Sequence, residues 1–473
     1  MKGAAATRVG LSKLGAQAAL YDLYGHQLSG HDLLKSVDQL AGALVEEGLL
    51  GRTIGLWYRN SFEAVQAFLA VEWIGGTRVT VDPRAPVGEV TAVLTAAGVD
   101  AVLTDRDYSF DGKPVFKHTD SSTVRGKALF PDLEVDPGKT FVVYPRAVEE
   151  EKLFAISISY GNWAAIMQTN IDLYRGGRYG PWREDAECFL ANQQIMHGTG
   201  FVGTFPFLRM GLPQVLVDTF DENKIIDAIV RRKVTATLFV PLMLARVTTA
   251  AANRQQDVSS LRHVLYGGGR TRREEIVRAY ENLSPHLTQI YGRLEGGWPI
   301  SILDPDDHRA IAQGASELAD SCGRPVAAVE TKIRPVSSSK EPATGELCTR
   351  GPMAVAEHLD AEGWCASGDI MKVDQGGYLY YKGRADRMIN NGFHVYPEEI
   401  ERAILVVEGV AAARVYGKSD PSYGEIVAAD LVLMENFEFG DVLRRVRYTL
   451  ESSLAKYKVP KIFNPVDSIT SLK

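Results

Sequence analysis

The chain has 473 residues, of which 45% are hydrophobic and 23% are charged, and its formal net charge is -7. This length exceeds one ordinary hydrophobic core, so two or more domains are expected. The acidic balance argues against a nucleic-acid partner, and no apolar run is long enough to span a membrane. The four cysteines form no C-x-x-C pair and no secretion signal is apparent, which indicates reduced thiols in a cytoplasmic protein.

The first half of the chain alternates strand-like and helix-like segments. Residues 53–57 are typical of a buried strand, and Asn60 or Ser61 is a suitable cap for the helix that follows. Residues 77–81 form the next predicted strand, and a helix capped by Asp221 repeats the pattern before a further strand. This alternation of strands and helices predicts an α/β fold with layered, mostly parallel sheets and helices on their faces.

The pattern changes after Asp386. Pro397 suits the first position of a helix with an apolar stripe on one side. Two strand candidates and a last helix over 442–454 complete a small α+β unit. We therefore predict a large N-terminal domain of residues 1–384, a hinge near Asp386 and a small C-terminal domain of residues 387–473.

Five segments carry a recognisable pattern: residues 196–201 (Met-His-Gly-Thr-Gly-Phe), 266–270 (Tyr-Gly-Gly-Gly-Arg), 291–295 (Tyr-Gly-Arg-Leu-Glu), 363–369 (Gly-Trp-Cys-Ala-Ser-Gly-Asp) and 383–401, which begins Gly-Arg-Ala-Asp. On these motifs the chain resembles the adenylate-forming superfamily, which comprises acyl-CoA synthetases, stand-alone adenylation domains and luciferases. The resemblance covers nearly the whole chain. It implies that the small C-terminal domain is a mobile lid that swings about Asp386.

The resemblance also implies a set of nucleotide-binding residues. The glycine turn would pack flat against adenine, Tyr291 would flank the base, Asp369 would accept from both ribose hydroxyls, and Arg384 would contact the same sugar or the phosphate. Glu295 would hold magnesium. The implied cofactor-binding residues are Gly267, Gly268, Gly269, Tyr291, Gly292, Asp369, Arg384 and Gly392. Each motif also has a plain structural interpretation, such as a flexible turn or a surface ion pair.

Two further positions are implied for the acyl group. His197 would lie beside the substrate carboxylate and the thiol tunnel, although a histidine that caps a glycine turn is the alternative. Lys473 would reach the acyl carboxylate, and the loop containing Gly392 would line the pantetheine tunnel. The Phe-Asp pair that holds an amino group in peptide-synthetase adenylation domains is absent, so the resemblance implies a small carboxylic acid other than an amino acid.

Three elements depart from the family pattern. The phosphate loop should follow the strand over 140–144, but residues 145–154 contain no glycine, serine or threonine and include three glutamates. A solvated loop with its carboxylates directed away from the site is the plain interpretation of that acidic run. Leu294 replaces a threonine and cannot donate a hydrogen bond to a phosphate. The C-terminus lacks the expected glycine before Lys473.

Three functions therefore remain open. The first is an adenylate-forming ligase that uses ATP, Mg²⁺ and CoA or a carrier-protein pantetheine, and passes the acyl group from acyl-AMP to CoA, a carrier thiol or an amine. An acyl carrier protein is a possible partner in that scheme. The second is an ATP-independent acyl transferase that starts from a preformed acyl-adenylate or acyl-thioester. The third is a non-catalytic protein that binds ATP or AMP.

Overall fold

A computed structural model describes residues 4–118, 133–149, 152–336, 343–385, 388–434 and 436–466. The side chains of Glu149 and His394 are not described. The α-helices of the described residues are, in chain order, α1 (Ala4–Leu14), α2 (Gly30–Glu46), α3 (Phe62–Trp73), α4 (Val87–Ala96), α5 (Tyr160–Arg175), α6 (Gly198–Met210), α7 (Glu222–Arg232), α8 (Pro241–Arg254), α9 (Arg273–Asn282), α10 (Pro305–Ala312), α11 (Pro397–Leu405) and α12 (Phe439–Ser453).

The strands of the described residues are, in the same order, β1 (Ala18–Asp22), β2 (Gln27–Ser29), β3 (Thr53–Trp57), β4 (Thr77–Thr80), β5 (Ala101–Thr104), β6 (Val115–Lys117), β7 (Thr140–Glu149), β8 (Lys152–Ser159), β9 (Phe189–Ala191), β10 (Gln214–Leu216), β11 (Ala236–Phe239), β12 (His263–Gly267), β13 (Leu287–Arg293), β14 (Gly297–Leu303), β15 (Arg324–Pro325), β16 (Glu330–Pro335), β17 (Thr344–Arg350), β18 (Cys365–Val373), β19 (Leu379–Arg384), β20 (Ile389–Asn390), β21 (His394–Val395), β22 (Val410–Asp420), β23 (Gly424–Leu433) and β24 (Ile462–Pro465). Within the described part of the chain, no helix combines the length and the apolar character that crossing a membrane requires.

The chain forms two compact units. The first comprises Met1–Thr80, Val99–Tyr144 and Ile156–Ala385, and the second comprises Val81–Gly98, Pro145–Ala155 and Asp386–Lys473, each as far as its residues are described.

Parallel pairing dominates the larger sheets. A nine-stranded sheet has the order β15-β14-β13-β12-β11-β9-β10-β1-β2, and the five pairs from β13 through to β1 are parallel. A six-stranded sheet has the order β6-β5-β3-β4-β7-β8, with parallel pairs from β6 through β7. The strands β16 to β19 form an antiparallel sheet. The predicted α/β class with mostly parallel layers is confirmed.

Local signals in the sequence account for several element boundaries. Ser61, rather than Asn60, caps α3, because its hydroxyl accepts from the backbone N–H of Ala64 at 3.1 Å. Asp221 caps α7 in the same way, and Pro397 is the first residue of α11. The last helix begins at Phe439, three residues before the predicted start, and Phe439 packs against the core of the second unit.

The first unit buries an arginine between the helix α3 and the strands of the six-stranded sheet. Arg78 is fully buried, and its guanidinium donates to the carbonyl oxygens of Phe68 at 2.9 Å and Phe141 at 3.0 Å. The guanidinium carbon lies 3.9 Å from the centre of the Phe141 ring, and Nη2 lies 4.0 Å from the Glu72 carboxylate. Backbone carbonyls, a ring face and one carboxylate together compensate for the loss of hydration.

The second unit contains its own core around a three-stranded sheet. Strands β22 and β23 pair antiparallel over most of their length, and β24 pairs parallel to β23. Ile400 of α11 and Val446 of α12 are fully buried in this core. The buried Lys458 donates to Glu89 of α4 at 2.8 Å and to Glu399 of α11 at 2.9 Å, so α4 belongs to this unit through an ion pair as well as through packing.

A buried histidine connects α10 to the end of β12. Because a carbonyl oxygen only accepts, His308 Nδ1–H donates to the Asp304 carbonyl at 2.8 Å, and its Nε2 then accepts from the Tyr266 hydroxyl at 2.8 Å. Burial lowers the pKa of His308 to about 4. The neutral ring is therefore the form that holds Tyr266, the residue directly before the glycine turn.

Because the folded protein holds the His308 ring neutral, we predict that it loses stability in mild acid. The pKa of His308 is lower in the folded than in the unfolded chain. Its contribution to the free energy of unfolding is therefore complete above about pH 6.5 and falls as the pH approaches 4, by up to roughly 3 kcal/mol. Denaturant unfolding at pH 7, 5.5 and 4.5 measures it. The stability difference between the wild type and His308→Gln should shrink over this range, whereas the exposed-site control His358→Gln should follow the wild type. A difference that stays constant from pH 7 to 4.5 would contradict this assignment.

Candidate functional site

The candidate site lies at one edge of the nine-stranded sheet. Strands β9, β11, β12 and β13 run parallel, so the segments that follow their carboxyl ends meet at the same edge. His197 follows β9, Gly268 and Gly269 follow β12, and Glu295 follows β13. Ligands of open α/β sheets bind outside the carboxyl ends of the strands. The topology therefore gathers motifs that are about one hundred residues apart in the sequence.

Asp369 is the point at which two sheets of the first unit meet. Its Oδ2 accepts from the Tyr291 hydroxyl of β13 at 2.6 Å, and its Oδ1 accepts from Arg384 Nη1 at 2.7 Å. Arg384 and Asp369 are cross-strand partners in the register of β18 and β19, which places their side chains side by side. Burial and the neighbouring Asp369 carboxylate raise the pKa of Tyr291 well above its ordinary value, so its hydroxyl remains a donor.

Arg293 joins this cluster from the same strand as Tyr291. Arg293 is the last residue of β13, two residues after Tyr291, and Glu295 lies in the turn that follows the strand. Arg293 Nη2 donates to Glu295 Oε1 at 2.9 Å, and Nη1 lies 3.8 Å from Asp369 Oδ2. Burial alone would lower the pKa of Arg293, but Glu295 and Asp369 outweigh it and the pKa is raised. The guanidinium is therefore a permanent cation.

The expected magnesium ligand does not fit a divalent cation in this arrangement. Magnesium requires near-octahedral oxygen ligands, and the Glu295 carboxylate is already paired with a guanidinium. Among the described residues, no cluster of three or more histidine, cysteine, aspartate and glutamate side chains could hold a metal ion. We assign no step to magnesium.

The glycine turn after β12 fits a flat ligand such as a nucleobase. Gly268 has φ of 85°, a conformation that favours glycine, and a Cβ on Gly269 would come no closer than 3.5 Å to its neighbours. Glycine is required at position 267 for a different reason, because a Cβ there would lie 2.2 Å from the Ile290 carbonyl oxygen of β13. Gly292 is likewise explained by packing, since its Cβ would meet Trp298 at 2.8 Å. Backbone at Gly268 and Gly269 thus remains open for close approach.

His197 precedes the first turn of α6. It occupies the N-cap position, but its side chain makes no capping hydrogen bond, so the interpretation as a histidine that caps the turn is wrong. The next residue, Gly198, packs against the side chain of Leu294, because a Cβ on Gly198 would lie 2.7 Å from Leu294 Cδ1. The isobutyl group therefore lies against Gly198, at a position where the family resemblance implies a threonine hydroxyl.

The segment expected to be the phosphate loop is a pair of strands. Strand β7 continues to Glu149, past the predicted end at Tyr144, and β8 begins at Lys152, so the expected solvated loop over 145–154 is wrong for the described residues. A phosphate-binding loop converges successive N–H groups on one anion, whereas a strand points them alternately to opposite sides. The described backbone here has lost the geometry of a phosphate cradle as well as its hydroxyls.

The remaining predicted residues lie in the second unit or outside the described residues. Gly392 lies between β20 and β21 with φ of 90°, and a Cβ there would meet nothing within 4 Å. The conformation favours glycine without a steric demand from within the unit. The hinge residue Asp386 and the terminal Lys473 lie outside the described residues, as do Glu150 and Glu151 of the acidic run.

Comparison with known proteins identifies the family of this chain. The AMP-binding enzyme family matches residues 11–156 and 155–358, and the family of AMP-binding enzyme C-terminal domains matches residues 399–471. The chain therefore belongs to the AMP-binding enzymes, with a large N-terminal and a small C-terminal domain. It is an enzyme of the acyl-CoA synthetase-like ligase type.

Individual relatives are distant but cover almost the whole chain. The chain is 26% identical over 443 residues to a 2-succinylbenzoate–CoA ligase of Bacillus cereus (strain Q1), a match that spans 91% of this chain and 88% of the relative. The solved structure of the amide bond synthetase McbA from Marinactinospora thermotolerans is 25% identical with a TM-score of 0.83, covering 98% and 96% of the two chains. An o-succinylbenzoate CoA synthetase of Bacillus subtilis shares the fold at 23% identity, with a TM-score of 0.82 and coverage of 98% and 95%.

Sequence reasoning missed Arg293 as a site residue. A signal was present, because Arg293 lies midway between Tyr291 and Glu295, two residues from each. A cation so close in sequence to a motif carboxylate points to an ion pair.

We predict that Asp369→Asn weakens the binding of AMP by roughly tenfold to one-hundredfold, because hydrogen bonds to a charged acceptor contribute about 1.5–3 kcal/mol. Isothermal titration calorimetry with AMP measures the change, and thermal unfolding checks that the variant is folded. Asp227→Asn is the matched control, since Asp227 pairs with Arg254 on the surface. If Asp369→Asn and the control bind AMP with equal affinity, Asp369 is not part of the AMP-binding site.

Proposed function

We propose that this enzyme handles an acyl-adenylate of a carboxylic acid other than an amino acid and passes the acyl group to CoA, a carrier thiol or an amine. The observation that carries the proposal is the convergence of Tyr291 and Arg384 on Asp369 beside the glycine turn. A carboxylate only accepts hydrogen bonds, which suits the ribose hydroxyls as donors. The curated relatives act, by their names, on 2-succinylbenzoate.

The adenosine half would bind in the following way. The base lies against the backbone of Gly268 and Gly269, next to Tyr291, and the ribose faces Asp369. Arg384 donates to Asp369 and holds its carboxylate in place. The carboxylate thereby acts as a fixed acceptor that requires little reorganisation on binding, which is the usual source of affinity in a preorganised polar site.

The acyl-transfer step needs no further cofactor. A thiolate or an amine attacks the carbonyl carbon of the acyl-AMP, a carbon–sulfur or carbon–nitrogen bond forms, and the bond from the carbonyl carbon to the phosphate oxygen breaks. An attacking amine also releases one proton to the solvent. AMP leaves with the electron pair. His197 at the start of α6 is the side chain that we assign to the acyl group, because it borders the same sheet edge. We assign Lys473 to the acyl carboxylate in the adenylation half-reaction.

A second candidate function is favoured by the strand conformation of residues 145–149. An enzyme without a phosphate cradle would have difficulty in stabilising the charge that develops on ATP during adenylation, since loss of a single donor in such sites typically costs about 10²–10³-fold in rate. The same enzyme could accept a preformed acyl-adenylate or acyl-thioester and carry out only the transfer. Both candidates use the same adenosine site.

Pyrophosphate release separates the two candidates. The enzyme is incubated with ATP and a panel of acids headed by 2-succinylbenzoate, and in parallel with the synthetic acyl-AMP and CoA. Pyrophosphate release above the no-enzyme blank supports the ligase. No pyrophosphate release, together with acyl-CoA formation from acyl-AMP, supports the transferase. Failure of both assays, with AMP still bound in calorimetry, would contradict both and favour a non-catalytic nucleotide-binding protein.

Leu294→Thr gives a sharper test of ATP use. If the enzyme adenylates its acid, the new hydroxyl supplies a donor that the phosphate lacks, and pyrophosphate release should rise at least about tenfold. Leu294→Val is the matched control, because valine has the shape of threonine without the hydroxyl. Transfer from supplied acyl-AMP should be equal in the two variants. Equal pyrophosphate release in the two variants would contradict an adenylation step limited by the missing hydroxyl.

A further inference from the structure

The ion pair between Arg293 and Glu295 occupies the position at which the family resemblance places a metal ligand. Arg293 is only 7% exposed and Glu295 only 5%. A buried carboxylate requires a counter-charge, and the guanidinium of Arg293 supplies that charge to Glu295. A divalent cation at Glu295 would have to displace the guanidinium, or lie beside it at a distance where two positive charges repel strongly.

The pairing is more than a local structural contact. Arg293 lies within ion-pair distance of both Glu295 and Asp369, and its Nε and Nη1 are buried without a hydrogen-bond partner among the described residues. Nη1 is 3.8 Å from Asp369 Oδ2, which is too far for a hydrogen bond. These two donors lie between the metal-ligand position and the ribose acceptor, where a ligand oxygen could accept from them.

We propose that Arg293 replaces the divalent cation of this site, so that the enzyme binds AMP and acyl-adenylates without magnesium. This inference rests on the proposed function for its nucleotide, but the state of Glu295 can be tested without any nucleotide. Arg293 is a fixed counter-charge of Glu295, and its open donors serve a phosphate oxygen of the adenylate. Arginine suits this role because its planar guanidinium stays charged and binds carboxylate and phosphate together.

The first arm of the test measures metal binding directly. Manganese(II) is titrated into the nucleotide-free enzyme and followed by electron paramagnetic resonance, in the wild type, Glu295→Gln, Arg293→Met and the double variant. The wild type and Glu295→Gln should bind manganese indistinguishably. Arg293→Met should gain a site at least about tenfold tighter, and the double variant should lose it again. A wild-type site that Glu295→Gln abolishes would overturn the proposal.

The second arm measures AMP binding by calorimetry, once in EDTA and once with excess magnesium. Wild-type affinity should agree within about twofold in the two buffers, and Arg293→Met should bind at least about tenfold more weakly in EDTA, with partial recovery in magnesium. Arg254→Met, which breaks an exposed ion pair with Asp227, is the matched control and should bind like the wild type. Tenfold tighter wild-type binding with magnesium would overturn the proposal, as would unchanged binding by Arg293→Met.

The two arms also separate this inference from the proposed function. If the wild type binds no AMP in either buffer, the proposed function fails, and the manganese arm still decides the role of Arg293. If Arg293→Met does not fold, the wild type and Glu295→Gln decide the metal question. The double variant Arg293→Met with Glu295→Gln, which removes both charges together, then decides the AMP question in EDTA against the single variant Glu295→Gln. Equal affinity of those two variants would contradict a role for Arg293.

Discussion

The candidate site depends on one acceptor, the carboxylate of Asp369. It receives a tyrosine hydroxyl from the nine-stranded sheet and a guanidinium from its own antiparallel sheet, at 2.6 and 2.7 Å. Because both donors are held on strands, the carboxylate is fixed from two directions before any ligand arrives. A site built from strand residues is positioned more rigidly than one built from loops.

Charge balance explains why this cluster is stable while buried. Arg293 and Arg384 face Glu295 and Asp369, so two cations and two carboxylates neutralise one another in a volume from which water is largely excluded. Removing one member would leave an uncompensated buried charge, which is far more costly than removing an exposed pair. The cluster is therefore a unit, and substitutions within it should not act additively.

The changes from the family pattern all affect the same part of the nucleotide site. In the proposed function, the strand conformation of 145–149, the isobutyl group of Leu294 and the Arg293–Glu295 pair all concern the phosphates or their metal. The glycine turn, Tyr291, Asp369 and Arg384 concern adenosine in the same proposal. An enzyme that keeps its adenosine contacts but alters its phosphate contacts still has what is needed to hold AMP or an acyl-adenylate. ATP makes greater demands, because two further phosphates must be neutralised and positioned.

Much of the fold followed from local patterns in the sequence. Alternating apolar periods, the caps at Ser61 and Asp221, and Pro397 at a helix start predicted the α/β layers and the small C-terminal unit, because each is a short-range signal. The motifs likewise singled out Tyr291, Asp369 and Arg384 as residue types. Their meeting could not be predicted without the family pattern, because it depends on the register of β18 against β19 and on two sheets that approach each other. Only the tertiary structure decided that Arg293 is the counter-charge of Glu295 and that residues 145–149 extend a strand, since both depend on partners distant in space rather than on neighbours in the chain.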